Sequence, residues 1–100
     1  MTTTQVEYVD FKATTAVREY RLRVRRGEEV YDFTVAIPNE AFLSGRVRYQ
    51  DAPDVCFLKL QRELAAGEDG ALPPQALKMT DQDLEEYRVA HAPRESRRRL

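Results

Sequence analysis

The stretch YRLRVRRGEEVYDFTVAIP, residues 20–38, decides the fold. On its left arm Tyr20, Leu22 and Val24 alternate with Arg21, Arg23 and Arg25. On its right arm Tyr31, Phe33, Val35 and Ile37 alternate with Asp32, Thr34 and Ala36. Period-two alternation of aromatic and branched residues with polar ones predicts two strands, each with one buried and one wet face. RRGEE between them is a hairpin signal. A two-residue loop at Gly27-Glu28, with Gly first as a type II′ turn prefers, pairs residues whose numbers sum to 55. Val24 then faces Tyr31, Leu22 faces Phe33, Tyr20 faces Val35, and Arg23 meets Asp32. A loop at Arg26-Gly27 would set Val24 against Glu29 and turn one apolar set outward, so it is rejected.

Working outward, EYVDFKA (residues 7–13) reads as a preceding strand. Val9 and Phe11 are expected inside, with Phe11 opposite Tyr20, Val9 opposite Leu22 and a turn at Thr14-Thr15. Tyr8 competes for the inner face. Pro38 ends the third strand, because it has no N–H for the ladder. Asn39 is the expected cap of a short turn over residues 40–43, closed by Ser44-Gly45. RVRYQ (46–50) suggests a short edge strand with Val47 and Tyr49 on one side.

DAPDVCFLKLQRELAAG (51–67) predicts the central helix. Asp51 is the expected N-cap, Pro53 and Asp54 suit a first turn, and Gly67 stops it. Pro53, Cys56, Phe57, Leu60 and Leu64 share one arc of the helical wheel and should face the sheet. GEDGALPPQ (67–75) reads as loop. Thr80 with Asp83 forms a variant of the capping box, and Met79 with Leu84 a hydrophobic staple, opening a C-terminal helix over about residues 81–92. Pro93 ends it. The expected fold is α+β: a three- to four-stranded antiparallel meander packed by both helices, one domain over 1–93, and a disordered basic tail over 94–100.

Charge and composition bound the function. The 100 residues carry 16 Lys and Arg against 17 Asp and Glu, a net charge of −1, so no overall charge draws the chain to nucleic acid or membrane. Residues 51–93 are acidic and RESRRRL (94–100) is basic. No segment is apolar for a bilayer's width, and MTTTQVEYVDF lacks the layout of a signal peptide. A cytoplasmic protein is the expectation. The lone Cys forbids an internal disulfide.

Cys56 and His91 are the lone Cys and the lone His. Cys56 lies in the sheet-facing arc with Asp51 and Asp54 near it, which suits a filler and opposes a thiolate. His91 shares a stripe with Leu84 and Tyr87 near a helix C-terminus, where packing and capping explain it. One Cys and one His lack the paired spacing of a zinc site, and DQDLEE (81–86) complements a helix dipole without a calcium-loop pattern. No catalytic residue, metal or cofactor is expected.

Two surfaces remain. Arg21, Arg23 and Arg25, with Arg46 and Arg48 from the later edge strand, could form a basic face for nucleic acid or another polyanion. Glu19 and Asp32 on that face dilute it, and inward aromatics leave no base-stacking platform. Val55 and Leu58, with Arg62, lie on the helix away from the Cys56 arc. An apolar i, i+3 pair there needs cover from the last helix, from residues 72–77, or from another protein or second copy. A non-catalytic protein–protein interaction module is the leading expectation. Polyanion binding and a thiol-dependent enzyme or sensor using Cys56 are the alternatives, and no membrane role is expected.

Overall fold

The computed structural model describes residues 4–90, with Asp69 described for its backbone only. Three ten-residue strands, β1 (Thr4–Ala13), β2 (Val17–Arg26) and β3 (Glu29–Pro38), form an antiparallel meander. Helix α1 (Asn39–Leu43), helix α2 (Ala52–Ala66), a 3-10 turn (Glu68–Gly70), strand β4 (Ala76–Lys78) and helix α3 (Asp81–Ala90) follow. Sheet order is β1-β2-β3-β4. The fold is a small α+β domain, an N-terminal sheet with helices packed after it.

The hairpin forms in the register its alternation demands. Val24 faces Tyr31, Leu22 faces Phe33, Tyr20 faces Val35 and Arg23 faces Asp32. Gly27 carries φ of 63°, which an L side chain resists, and that fixes glycine at the first turn position. Tyr20, Leu22, Val24, Phe33, Val35 and Ile37 are all buried on one face, where α2 adds Ala52, Val55, Cys56 and Leu60. A Leu-sized side chain so buried contributes about 2 kcal/mol by area removed from water.

Four expectations need correction. First, Val9 does not face Leu22. Tyr8 does, and the register slips by one before Asp10, so Phe11 still meets Tyr20. Val9 is the extra residue of a β-bulge, which lets Tyr8 and Phe11 share the inner face although their spacing is odd. Second, residues 46–50 form no strand. Val47 is buried after the turn that follows α1, and Tyr49 stacks on Phe42 at 4.4 Å. The fourth strand is β4, which pairs parallel to β3 through Val35 and Leu77. Three residues after two prolines are too few to show a period. Third, Asn39 does not cap α1. Pro38 holds the N-cap position, and the Asn39 amide donates to the Thr14 carbonyl at 3.0 Å, tying α1 to the β1–β2 turn. Fourth, the 67–75 segment contains the 3-10 turn, whose Gly70 carbonyl accepts from Arg26 at 2.7 Å.

The helix bounds agree with their signals. α2 starts after Asp51, carries Pro in its first turn and stops at Gly67. The Asp51 carboxylate makes no cap bond and accepts from Arg48 instead. The α3 box closes in both directions: Asp83 N–H donates to the Thr80 hydroxyl and Thr80 N–H donates to the Asp83 carboxylate, each at 3.0 Å. Met79 and Leu84 are buried as a staple requires. His91, the expected end of α3 at 92, Pro93 and the basic tail lie outside the described residues.

Candidate functional site

The α2–α3 seam is built by charge and lined by apolar side chains. Lys59 emerges from α2 with its side chain only 8% exposed, and its ammonium donates to Asp83 of α3 at 2.7 Å. Arg62, one turn on, donates to Asp83 at 2.8 Å and to Glu86 at 2.5 Å. The Tyr87 hydroxyl donates to Asp54 at 2.9 Å. Burial works to raise the Asp83 pKa, but hydrogen bonds from Lys59 and Thr80 outweigh it and hold the carboxyl below its ordinary value. Tyr87 is pushed up to about 12 by burial and by its bond to the Asp54 carboxylate. These polar ties fix α3 beside α2 at one spacing.

That spacing leaves a groove of about 440 Å³ between the helices. Val55, Leu58 and Ala65 line it from α2, and Tyr87 and Ala90 from α3, with Arg62 and Glu86 at its rim. Val55, Leu58 and Arg62 therefore come together. Their exposures differ. Val55 is 3% exposed and belongs to the core with Leu84, so the last helix supplies much of its cover. Leu58 is half-buried and Arg62 is exposed. The small side chains of Ala65 and Ala90 keep the groove open.

The five arginines do not form one face. Arg21 pairs with Asp10 at 2.6 Å, Arg23 with Asp32 at 2.9 Å and Arg25 with Glu7 at 3.2 Å, all on the outer face of the sheet. Lys12 faces Glu19 on the same side. The charges alternate, so the face is striped and not basic. The Asp10 and Asp32 carboxyls are held low chiefly by their arginine hydrogen bonds. Arg46 and Arg48 sit on the connection between α1 and α2, because no strand forms there. Arg46 pairs with Glu40 and Asp81, and Arg48 with Asp51 at 3.1 Å.

Cys56 is fully buried, and desolvation pushes its thiol far above the ordinary range. A reactive thiol needs the opposite setting. Among the described residues no three Cys, His, Asp or Glu side chains cluster as metal ligands, and no helix is long and apolar enough to cross a membrane.

Two features escaped the sequence reading. Lys59 falls between Val55 and Cys56 on a wheel of about 100° per residue. A lysine flanked by apolar positions signals a buried cation that needs a carboxylate. Arg18 also escaped. Its guanidinium lies 4.4 Å from the Phe11 ring centre and 4.5 Å from that of Tyr49. The β2 alternation places Arg18 on the inner face at the strand's start, which was the available clue. Beside it, the Tyr20 hydroxyl is buried without a hydrogen bond of good geometry, and burial raises its pKa.

Comparison of the chain with family models, with curated proteins and with solved structures finds no match.

Proposed function

We propose that this chain is a non-catalytic protein–protein interaction module whose working face is the α2–α3 groove. The occupant is an apolar side chain or short helical segment of another protein. One observation carries the reading: a groove of about 440 Å³ with a largely apolar lining stands open between two helices tied together by the buried Lys59–Asp83 pair and the exposed Arg62–Asp83 pair. Open apolar grooves of this kind suit helix-in-groove recognition. The acidic side chains of α3 are already matched by cations, Asp81 by Arg46, Asp83 by Lys59 and Arg62, Glu85 by Arg88 and Glu86 by Arg62, so apolar fit and not charge selects the partner.

The polyanion reading draws less support, since Arg21, Arg23 and Arg25 each have a carboxylate within ion-pair distance. The thiol reading draws less still, given the burial of Cys56.

The test places a photocrosslinking amino acid at position 58, with a control at Thr34 on the outer sheet face. The expected result is one polypeptide joined from position 58, not from 34, through a segment rich in apolar residues. Leu58→Asp should keep the fold and remove that partner. Val55→Asp cannot serve, because Val55 is core. Cross-links from both positions alike, or from neither, overturn the reading.

A further inference from the structure

The free edge of the sheet is self-complementary. β1 ends the sheet order, and among the described residues nothing pairs with its outer edge. It is ten residues long, and long unpaired edges template further strands. Tyr8 and Phe11, on its inner face, are 40% and 46% exposed. Both rings stand near Tyr20, at centroid distances of 6.2 Å and 5.6 Å, and the Arg18 guanidinium lies 4.4 Å from the Phe11 ring centre, yet both rings keep that much surface open.

We propose that two copies of this chain join β1 to β1 in antiparallel fashion about a two-fold axis normal to the sheet, making one continuous eight-stranded sheet. The bulge sets the register. In a regular strand such an axis pairs residues of the same parity, because opposed residues must share a face. The extra residue at Val9 shifts the phase between Tyr8 and Asp10. Residues before the bulge can then oppose residues of the other parity after it. Centred between Val9 and Asp10, the pairing sets Tyr8 against Phe11 of the second copy on the inner face. It sets Glu7 against Lys12 on the outer face, and Val6 against Ala13 inside. Each pair occurs twice by symmetry. The aromatic pair and the opposite-charge pair are both favourable cross-strand matches.

Neighbouring registers fit worse. A shift that sets Glu7 against Asp10 opposes like charges. One that sets Asp10 against Phe11 opposes different faces. Registers centred on Val6 or on Phe11 keep the faces but use only half of the strand. Bulges and edge charges often protect an edge from pairing. Here both signs are present, at positions that match about the axis. The far edge is the three-residue β4, too short to extend in the same way. A two-fold normal to the sheet also leaves both α2 helices on one face of the joined sheet. The inference rests on the β1 edge alone and uses no part of the groove reading.

Sedimentation of the full chain tests the proposal. The expected mass is twice 11.6 kDa. Lys12→Glu places like charges together at two points and should weaken the dimer about tenfold or more with an unchanged circular dichroism spectrum. The pair Tyr8→Cys and Phe11→Cys in one chain should form a covalent dimer on mild oxidation, while each single variant does not. A mass of one chain at every concentration overturns the proposal. So does a dimer indifferent to Lys12→Glu that gives no 8-to-11 cross-link, or one cross-linked by Phe11→Cys alone.

Discussion

Asp83 should matter more to stability than its partner Lys59, although both take part in one ion pair. In Asp83→Ala, Lys59 keeps only Glu63, at 3.9 Å, with its side chain still 8% exposed. Breaking a buried pair costs about 3 kcal/mol at the lower end of its range, the end that applies with Glu63 near. Loss of the Thr80 capping box adds about 1 kcal/mol. The sum is about 4 kcal/mol. In Lys59→Met the lost volume is refilled, and Asp83 keeps Arg62 at 2.8 Å and the Thr80 backbone at 3.0 Å. That change should cost about 1 kcal/mol or less. The assay is equilibrium urea unfolding followed by far-ultraviolet circular dichroism. With a slope of about 1.5 kcal/mol per molar, the Asp83→Ala midpoint falls by about 2.7 M and the Lys59→Met midpoint by under about 1 M. Equal shifts, or a larger one for Lys59→Met, would refute the view that the α3 carboxylate organises the seam.

Three further outcomes follow from the same structure. Gly67→Ala should destabilise by about 2 kcal/mol in the same urea assay, because its Cβ would stand 2.0 Å from the Ala71 carbonyl oxygen and the backbone must move. Cys56 should resist thiol reagents in the native protein and react only as fast as the chain unfolds. Rapid native labelling would show that α2 does not pack as described. Acid should destabilise the fold in a defined window. Asp10, Asp32 and Asp83 have folded pKa values below the ordinary 3.8, so their contribution is complete above that pH and is lost as pH falls through the lower folded values. Unfolding midpoints against pH should therefore be flat near neutrality and fall below about pH 4, with a shallower fall in Asp83→Ala.

Local chemistry was legible where one short rule decides the outcome. The hairpin register followed from face matching around Gly27, and α3 from Thr80, Asp83 and the Met79–Leu84 staple. The bulge at Val9 was not legible, because both phases of 7–13 offer apolar residues and only pairing with β2 chooses between them. β4 escaped for a different reason. Its three residues carry no period, and their order comes from the Thr34 and Met79 backbone bonds to Gln75 and Ala36. The same limit hid the scatter of the arginines, since Arg46 and Arg48 join the face of Arg21 only if residues 46–50 form a strand. For the groove, the sequence placed Val55, Leu58 and Arg62 together on one side of α2. It left open which of them α3 would bury, because that depends on the Lys59–Asp83 bond between residues 24 positions apart.

The most direct test of the groove as working face is an amide and methyl NMR titration with the peptide that position-58 cross-linking defines. Shifts should concentrate at Leu58, Ala65, Glu86, Tyr87 and Ala90 and be lost in Leu58→Asp. Shifts centred on Arg21, Asp32 and Thr34 of the outer sheet face, or undiminished in Leu58→Asp, would contradict it.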